Sequence, residues 1–507
     1  MRGHKTTRAV LLACTAVLAL SAAACGSGGA DSVASPGEGG FPPPPPVQPP
    51  VVPPPTQPPV TGIAAPTCPT GFANLGVIET NIRNAVGPTR ICQLPSSFSG
   101  NAVVPSQVDI GRTAYQITGR VDIGQDQGGD AAAPRAGAAN ATVTIEPGTW
   151  LFGNSGLDYI VVNRGSRMNA AGQPTQPIVF TSRADITAAS GTDRSNAIGE
   201  WGGLVILGRA PINNCPGSTT PGTAGCEAQV EGTNAFFGGN LINDTSGTYN
   251  YVRVMHSGFQ ILPNNELNGI TLAGVGSGTD FRFVQVHNSS DDGFEWFGGT
   301  VNSRYLVATG NDDDSLDTDQ GYSGGNQFII AIQRSGGGDR IVEASNVGGA
   351  ARTPVSNPRF ANFTFVGRPN GGDAIILNTA TNAGFFNGVV TGSAACLDVD
   401  DAGTTATFQS VVFAACTIPF RDDTATRGAA EAQAIFTAGA NNFFVVPSTL
   451  QNIFINGTSE STRTAFAGLS GLAGLNFQQV NYVGAVRDAS DTWYAGWTCG
   501  LTAATPC

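Results

Sequence analysis

The chain repeats itself about every 22 residues. "DFRFVQVHNS" (280–289), "NSRYLVATGN" (302–311) and "GNQFIIAIQR" (325–334) step by 22 and 23 residues. Further on, "NFTFVG", "NGVVTG" and "SVVFAA" step by 25 and 23. A second series lies between these: "GITLAG", "GFEWFG", "SLDTDQ", "AIILNT" and "CLDVDD". A unit with two such short runs cannot bury its apolar face alone, so it must stack on copies of itself. The period predicts an all-β chain wound as a parallel β-helix, with Ile270, Phe294, Leu316 and Leu397 as inward layers. A β-sandwich would place strands every ~8–12 residues without the longer period. Composition agrees. Gly is 68 of 507 residues, 12% of residues are charged, and Gly, Asn, Asp and Ser separate the apolar runs, so helix signals are nearly absent.

Eight cysteines follow Cys25 and fall into near neighbours: Cys68/Cys92, Cys215/Cys226, Cys396/Cys416 and Cys499/Cys507. None are spaced C-x-x-C, and His256 and His287 are the only histidines beyond the first 25 residues, which argues against zinc. In an exported chain the pairs read as disulfides. Cys396 and Cys416 lie about one coil apart, where stacking brings strands to about 4.8 Å.

Export is read from the start of the chain. Arg2, Lys5 and Arg8 precede the apolar run "AVLLACTAVLALSAAA", and Cys25 follows small residues. The run is too short and Ala-rich for a membrane span. Cys25 resembles the lipidated cysteine of a bacterial lipoprotein; "LLAC" ending at Cys14 fits the local pattern better but leaves almost no apolar run before it, and ordinary secretion is the alternative. The following Gly26 implies the outer membrane by the same resemblance. Residues 41–60, "FPPPPPVQPPVVPPPTQPPV", hold twelve prolines and read as a stiff polyproline II spacer. The only lysine of the chain lies in the signal, and 22 Arg then face 37 Asp and Glu. This balance excludes nucleic acid as a partner and removes any lysine base or Schiff-base chemistry.

The candidate site is the acidic stretch 287–324. Asp291-Asp292 recurs as Asp313-Asp314, and Glu295 recurs as Asp317 at the same interval of 22. Stacking then puts Asn268, Asp292 and Asp314 at one turn position, with Thr271, Glu295 and Asp317 outward on the following strand and Asp398 rejoining that column. Carboxylates on adjacent strands sit about 5 Å apart and repel, which a cation, protonation or full hydration relieves. Asp291, Asp292, Glu295, Asp313, Asp314, Asp317 and Asp319 offer the oxygen donors that Ca²⁺ takes. Solvated turn residues are the plainer reading. As catalytic candidates, Asp292, Asp314, Glu295 and Asp317 supply the paired carboxylates of glycoside hydrolysis. Trp296 alternates with outward Glu295 and is expected in the core. "GVGSG" (274–278) reads as a tight turn between two strands.

"SSDDGFEWFGG" followed by "GNDDDSLDTDQG" resembles the successive Asp turns of polygalacturonases, although that family's Gly-His-Gly turn and Arg-Ile-Lys strand are absent. Pectate lyases resemble it in fold and in using Ca²⁺ with an Arg base, for which Arg304 and Arg334 are candidates. From about residue 110 onward, "YQITGRVDIG", "TVTIEPGTWLFG", "EWGGLVILGRAPINNC", "HNSSDDGFEWFGGTVN", "GNDDDSLDTDQGY" and "NYVGAVRDASDTWYAGWT" resemble a widespread group of uncharacterised bacterial secreted proteins and lipoproteins. That resemblance implies a right-handed parallel β-helix of the pectate-lyase-like class on a Gram-negative cell, with no established reaction. The expected organisation is a signal (1–25), a tether (26–62), an N-terminal cap region (63–135), the β-helix (136–465) and an irregular C-terminal capping segment (466–507). The expected role is an outer-membrane lipoprotein, held to lipid through Cys25, that binds an acidic polysaccharide or another envelope protein, with Ca²⁺ on the stacked acids. A polysaccharide hydrolase or lyase, and an inert envelope scaffold, are the alternatives.

Overall fold

A computed structural model describes residues 62–79, 87–106, 111–189, 191–262, 265–422, 427–502 and 504–507. Residues 1–61, which include Cys25 and the proline-rich run, lie outside the described residues. Among those described, no helix is long and apolar enough to cross a membrane.

The described chain is a right-handed parallel β-helix made of two long sheets. An 11-stranded sheet takes one short strand from each coil, including Ile270–Ala273, Phe294–Phe297, Leu316–Asp319, Val342–Ala344, Ile375–Leu377 and Ala395–Val399. A 16-stranded sheet takes the long strands, among them Gly247–Met255, Asp280–His287, Ser303–Thr309, Gly325–Ile332 and Arg359–Val366. The register stacks Ile270, Phe294, Leu316, Val342, Ile375 and Leu397 in one inward column, each fully buried. Two residues on, Trp296 is also in the core, stacked between Phe294 at 5.8 Å and Tyr322 at 5.5 Å.

Each long strand turns a corner. Tyr251, Phe283, Tyr305, Phe328, Asn362, Asn387 and Ser410 have φ between 49° and 60°, and the register aligns them in a single column. Left-handed backbone costs a non-glycine residue about 1–2 kcal/mol. Face-to-face packing of Tyr251, Phe283, Tyr305 and Phe328, with successive centroids 4.4, 4.3 and 4.8 Å apart, offsets that cost at the four aromatic corners.

The ends and sides are closed by non-repeating pieces. An antiparallel pair, Ala73–Ile78 with Thr89–Gln93, lies at the N-terminal end beside the Cys68–Cys92 disulfide. Helix Ala429–Thr437 plugs the C-terminal end by setting Phe436 against Phe408 and Phe413. The later residues run along the outside instead. Phe454, Val486 and Trp497 cover Val307, Ile330 and Ile332, while Gln285 Nε2 donates to the Cys499 carbonyl at 2.6 Å. The cysteines pair with the neighbours that spacing suggested: Cys68–Cys92, Cys215–Cys226, Cys396–Cys416 and Cys499–Cys507.

Candidate functional site

The stacked acids meet where the turn after each long strand enters the short-strand sheet. Gly269 N donates to the Asp292 carbonyl and Gly293 N to the Asp314 carbonyl, both at 2.8 Å, so Asn268, Asp292 and Asp314 occupy equivalent places on successive coils. Glycine is required at the joint. A Cβ on Gly293 would lie 2.2 Å from Asn311 Nδ2 and 2.7 Å from the Ser315 carbonyl. On the strands that follow, Thr271 pairs with Glu295, Glu295 with Asp317, and Asp317 with Glu343. The column passes Ile376 and reaches Asp398, as the repeat predicts.

Two groups of carboxylates result. Oxygens of Asp291, Asp292 and Asp313 lie within 4.8 Å of one another, and so do oxygens of Asp292, Glu295 and Asp317. Asp292 belongs to both. Asp314 and Asp319 stand outside these groups with their oxygens engaged by backbone. Asp314 Oδ1 accepts from Arg340 N at 2.6 Å, and Asp319 Oδ1 accepts from Gln320 N and Val347 N at 2.6 and 2.7 Å. Asn268 Nδ2 donates to Glu295 Oε2 and, at 3.1 Å, to Thr271 Oγ1. Asp317 Oδ1 is shielded from solvent and has no hydrogen-bond partner among the described residues.

Burial and mutual repulsion push these carboxyls toward the protonated form. Burial is the larger cause throughout. Asp292 is raised well above the usual carboxylate range, next by Asp291 and Asp317, and Asp317 next by Glu343 and Asp319. Glu295 is raised by burial and then by Glu231, with which it also shares a side-chain hydrogen bond. Asp314 is raised by burial and Glu343, with Arg340 opposing. Asp291 is pushed up to about 8 by burial and Asp313, and Asp319 to about 6 by burial against its two backbone donors. This is a set of oxygens with charge to neutralise. All its donors are hard, which suits Ca²⁺ rather than a thiophilic metal.

Four charged residues at the site have no place in the 22-residue pattern. Glu343 follows Asp317 by 26 residues because the loop before its strand is longer, so a search allowing variable turns would have found it. Arg340 takes the turn position next to Asp314 and holds Asp339 at 2.6 Å. Glu266, whose charge acts on Asp291, comes from the short hairpin Gln260–Leu262 with Asn265–Glu266. Glu231 arrives from an excursion between strands Gly203–Leu207 and Gly247–Met255, tied by Cys215–Cys226. Val230 and Phe237 of that excursion pack on outward Val205, Leu207, Ala273 and Phe297, which carries Glu231 to Glu295. The two arginines suggested as bases are elsewhere. Arg304 lies in the long-strand sheet beside Arg282, and Arg334 is held by Asp312 and Asn196.

A family profile described as a pectate-lyase like beta helix domain matches residues 130–498. The chain belongs to this family. No curated protein and no solved structure matches it significantly. Within the pectate-lyase-like β-helix, the acid cluster is thus a property of the outward face of one sheet, built on coils whose inward residues are ordinary core.

Proposed function

We propose that this protein binds an acidic polysaccharide through Ca²⁺ held on the stacked carboxylates. The observation that carries the reading is the pair of overlapping groups, Asp291/Asp292/Asp313 and Asp292/Glu295/Asp317, whose oxygens lie within 4.8 Å. Asp317 Oδ1, buried without a partner, is the donor that best fits an ion. Ca²⁺ takes six to eight oxygens, more than either group supplies alone, so sugar carboxylates and water would complete its shell. An uncompensated anionic face would otherwise repel a uronic acid polymer; the ion reverses that sign. The signal-like residues 1–25 and the proline-rich run support a lipid anchor at Cys25 and an outer-membrane location for the presented β-helix.

Calorimetric titration of the EDTA-treated protein with Ca²⁺ tests the ion, and polygalacturonate binding with and without Ca²⁺ tests the partner. Binding of polymer only in the presence of Ca²⁺ is the expected result. Absence of Ca²⁺ uptake, with melting unchanged by EDTA, would sink the reading and leave an inert scaffold. A second reading is polysaccharide cleavage, favoured by the elevated protonation of Asp291 and by the close approach of the carboxyl oxygens, within 4.8 Å, since glycoside hydrolysis works with a neighbouring carboxyl pair. It requires release of reducing ends or unsaturated products that Asp292→Asn or Asp314→Asn abolishes while the fold persists.

A further inference from the structure

The acid ladder is one stretch of a longer column on the outward face of the short-strand sheet. The register runs Ser97, Asp122, Val161, Val205, Thr271, Glu295 and Asp317 over successive strands. Val161 and Val205 lie under the excursion clasped by Cys215–Cys226, where Val230 and Phe237 pack on them. The excursion divides the face in two. Glu231 turns to the acids on one side, and on the other a groove of about 550 Å³ opens over Asp122. That volume is within the range of small-molecule sites, about 300–1,000 Å³.

Phe236 sets the chemistry of this groove. Side chains alternate along the short strand Phe236–Phe237, so Phe237 packs inward, 6.0 Å from Phe297, and Phe236 is left outward. Phe236 is 37% exposed and has no aromatic partner among the described residues. Its neighbours are pinned. Arg120 Nη1 donates to the Asn234 carbonyl at 2.9 Å and to Thr233 Oγ1 at 3.1 Å, and Tyr159 Oη lies 2.9 Å from the same hydroxyl. A ring presented on so fixed a support loses little freedom when it meets a ligand. The polar groups around it are of two kinds. Arg120 is paired with Asp122, and Asp126 with Arg164 and Arg135, so the lining acids are compensated, unlike those at Glu295. Ser97, Ser99 and Asn234 are exposed, and their side chains make no hydrogen bond among the described residues. An open aromatic face beside free hydroxyl and amide groups suits a sugar ring, whose weakly positive C–H face packs on the electron-rich face of the aromatic.

We infer that this groove is a second, metal-free contact for the polysaccharide, in which one sugar ring stacks on Phe236 and its hydroxyls pair with Asn234 and Ser99. The inference rests on the proposed binding of that polymer at the acids. Four strand steps, about 19 Å, separate Asp122 from Glu295, a span that a polymer covers and a single sugar does not. The test measures two affinities on the full chain: Ca²⁺ by calorimetry, and polygalacturonate at saturating Ca²⁺. Phe236→Ala and Phe236→Leu should each weaken polymer binding by about fivefold or more and leave Ca²⁺ affinity unchanged. Phe236→Tyr keeps the aromatic face and should bind as the parent does. Because the ring is exposed, all three variants should melt close to the parent. Equal polymer binding in all four proteins would overturn the inference and leave the ion reading in place. So would a Ca²⁺ affinity that falls in step with polymer binding, or a loss in Phe236→Tyr as large as in Phe236→Ala. A parent that takes up no Ca²⁺ or binds no polymer would remove the proposed function, and this inference with it.

Discussion

The β-helix builds two ladders with the same geometry and opposite chemistry. At the corners, Tyr251, Phe283, Tyr305 and Phe328 stack ring on ring at 4.3–4.8 Å, and Trp497 closes edgewise on Tyr251 and Phe283 at 5.9 and 6.0 Å. Around the next turn, Glu295, Asp317 and Glu343 stack acid on acid. Both arise because one coil repeats its side-chain positions over the next at about 4.8 Å. The aromatic ladder gains from that spacing and pins a strained backbone. The acid ladder loses by it, through desolvation and like-charge repulsion. The first ladder supports the fold; the second is the feature that the proposed Ca²⁺ would compensate.

The comparison breaks most sharply at a corner. Phe283→Ala removes a ring stacked on two neighbours and capped by Trp497, so unfolding by denaturant should show a loss of about 3 kcal/mol. Preserved stability would mean the corners do not depend on stacking. In the acid ladder the sign should reverse. Asp317→Asn relieves repulsion from Glu343 and Asp319, so in EDTA the variant should be more stable than the parent by about 1 kcal/mol, while its Ca²⁺ affinity falls about tenfold or more.

Stability against pH sharpens the same contrast. Asp319 and Asp291 titrate at about 6 and 8 in the fold against an ordinary 3.8, so the folded state holds more protons than the unfolded state between those values. Their stabilising contribution is therefore complete below about pH 4 and is lost as pH rises toward 8. Melting in EDTA should show that decline, and Ca²⁺ should cancel it, because the ion takes the place of the protons. At a free concentration 100 times its Kd, one bound ion adds about 2.7 kcal/mol. A flat profile in EDTA would place the carboxyls in water. The smallest effect is expected from Glu231→Gln, which removes a charge beside Glu295 from a residue outside both carboxylate groups. Ca²⁺ affinity should fall only a few-fold, read by the same titration.

Much of this was legible from spacing. The positions of Asp292 over Asn268, Asp314 over Asp292 and Asp317 over Glu295 follow from the 22-residue interval, as do the buried column through Ile270, Phe294 and Leu316 and the core placement of Trp296. Arg304 and Arg334 are candidates only through the resemblance to pectate lyases with an arginine base, and nothing local in the sequence tells an arginine beside the acids from one placed elsewhere. Glu343 and Arg340 escaped because a longer loop shifts their coil by four residues.

Sequence alone determined whatever repeats: the coil, the inward layers, the near-neighbour disulfides and the heart of the acid ladder. Those contacts join residues no more than about one period apart, and alternation along each strand assigns the repeating ones a face. Tertiary structure decided what does not repeat. Glu231 reaches Glu295 across 64 positions because Val230 and Phe237 bury themselves on outward apolar residues. The chain end reaches Gln285 and His287 because Trp497 covers the aromatic corner. Such docking is set by surface complementarity between distant segments, which leaves no period in the sequence to read.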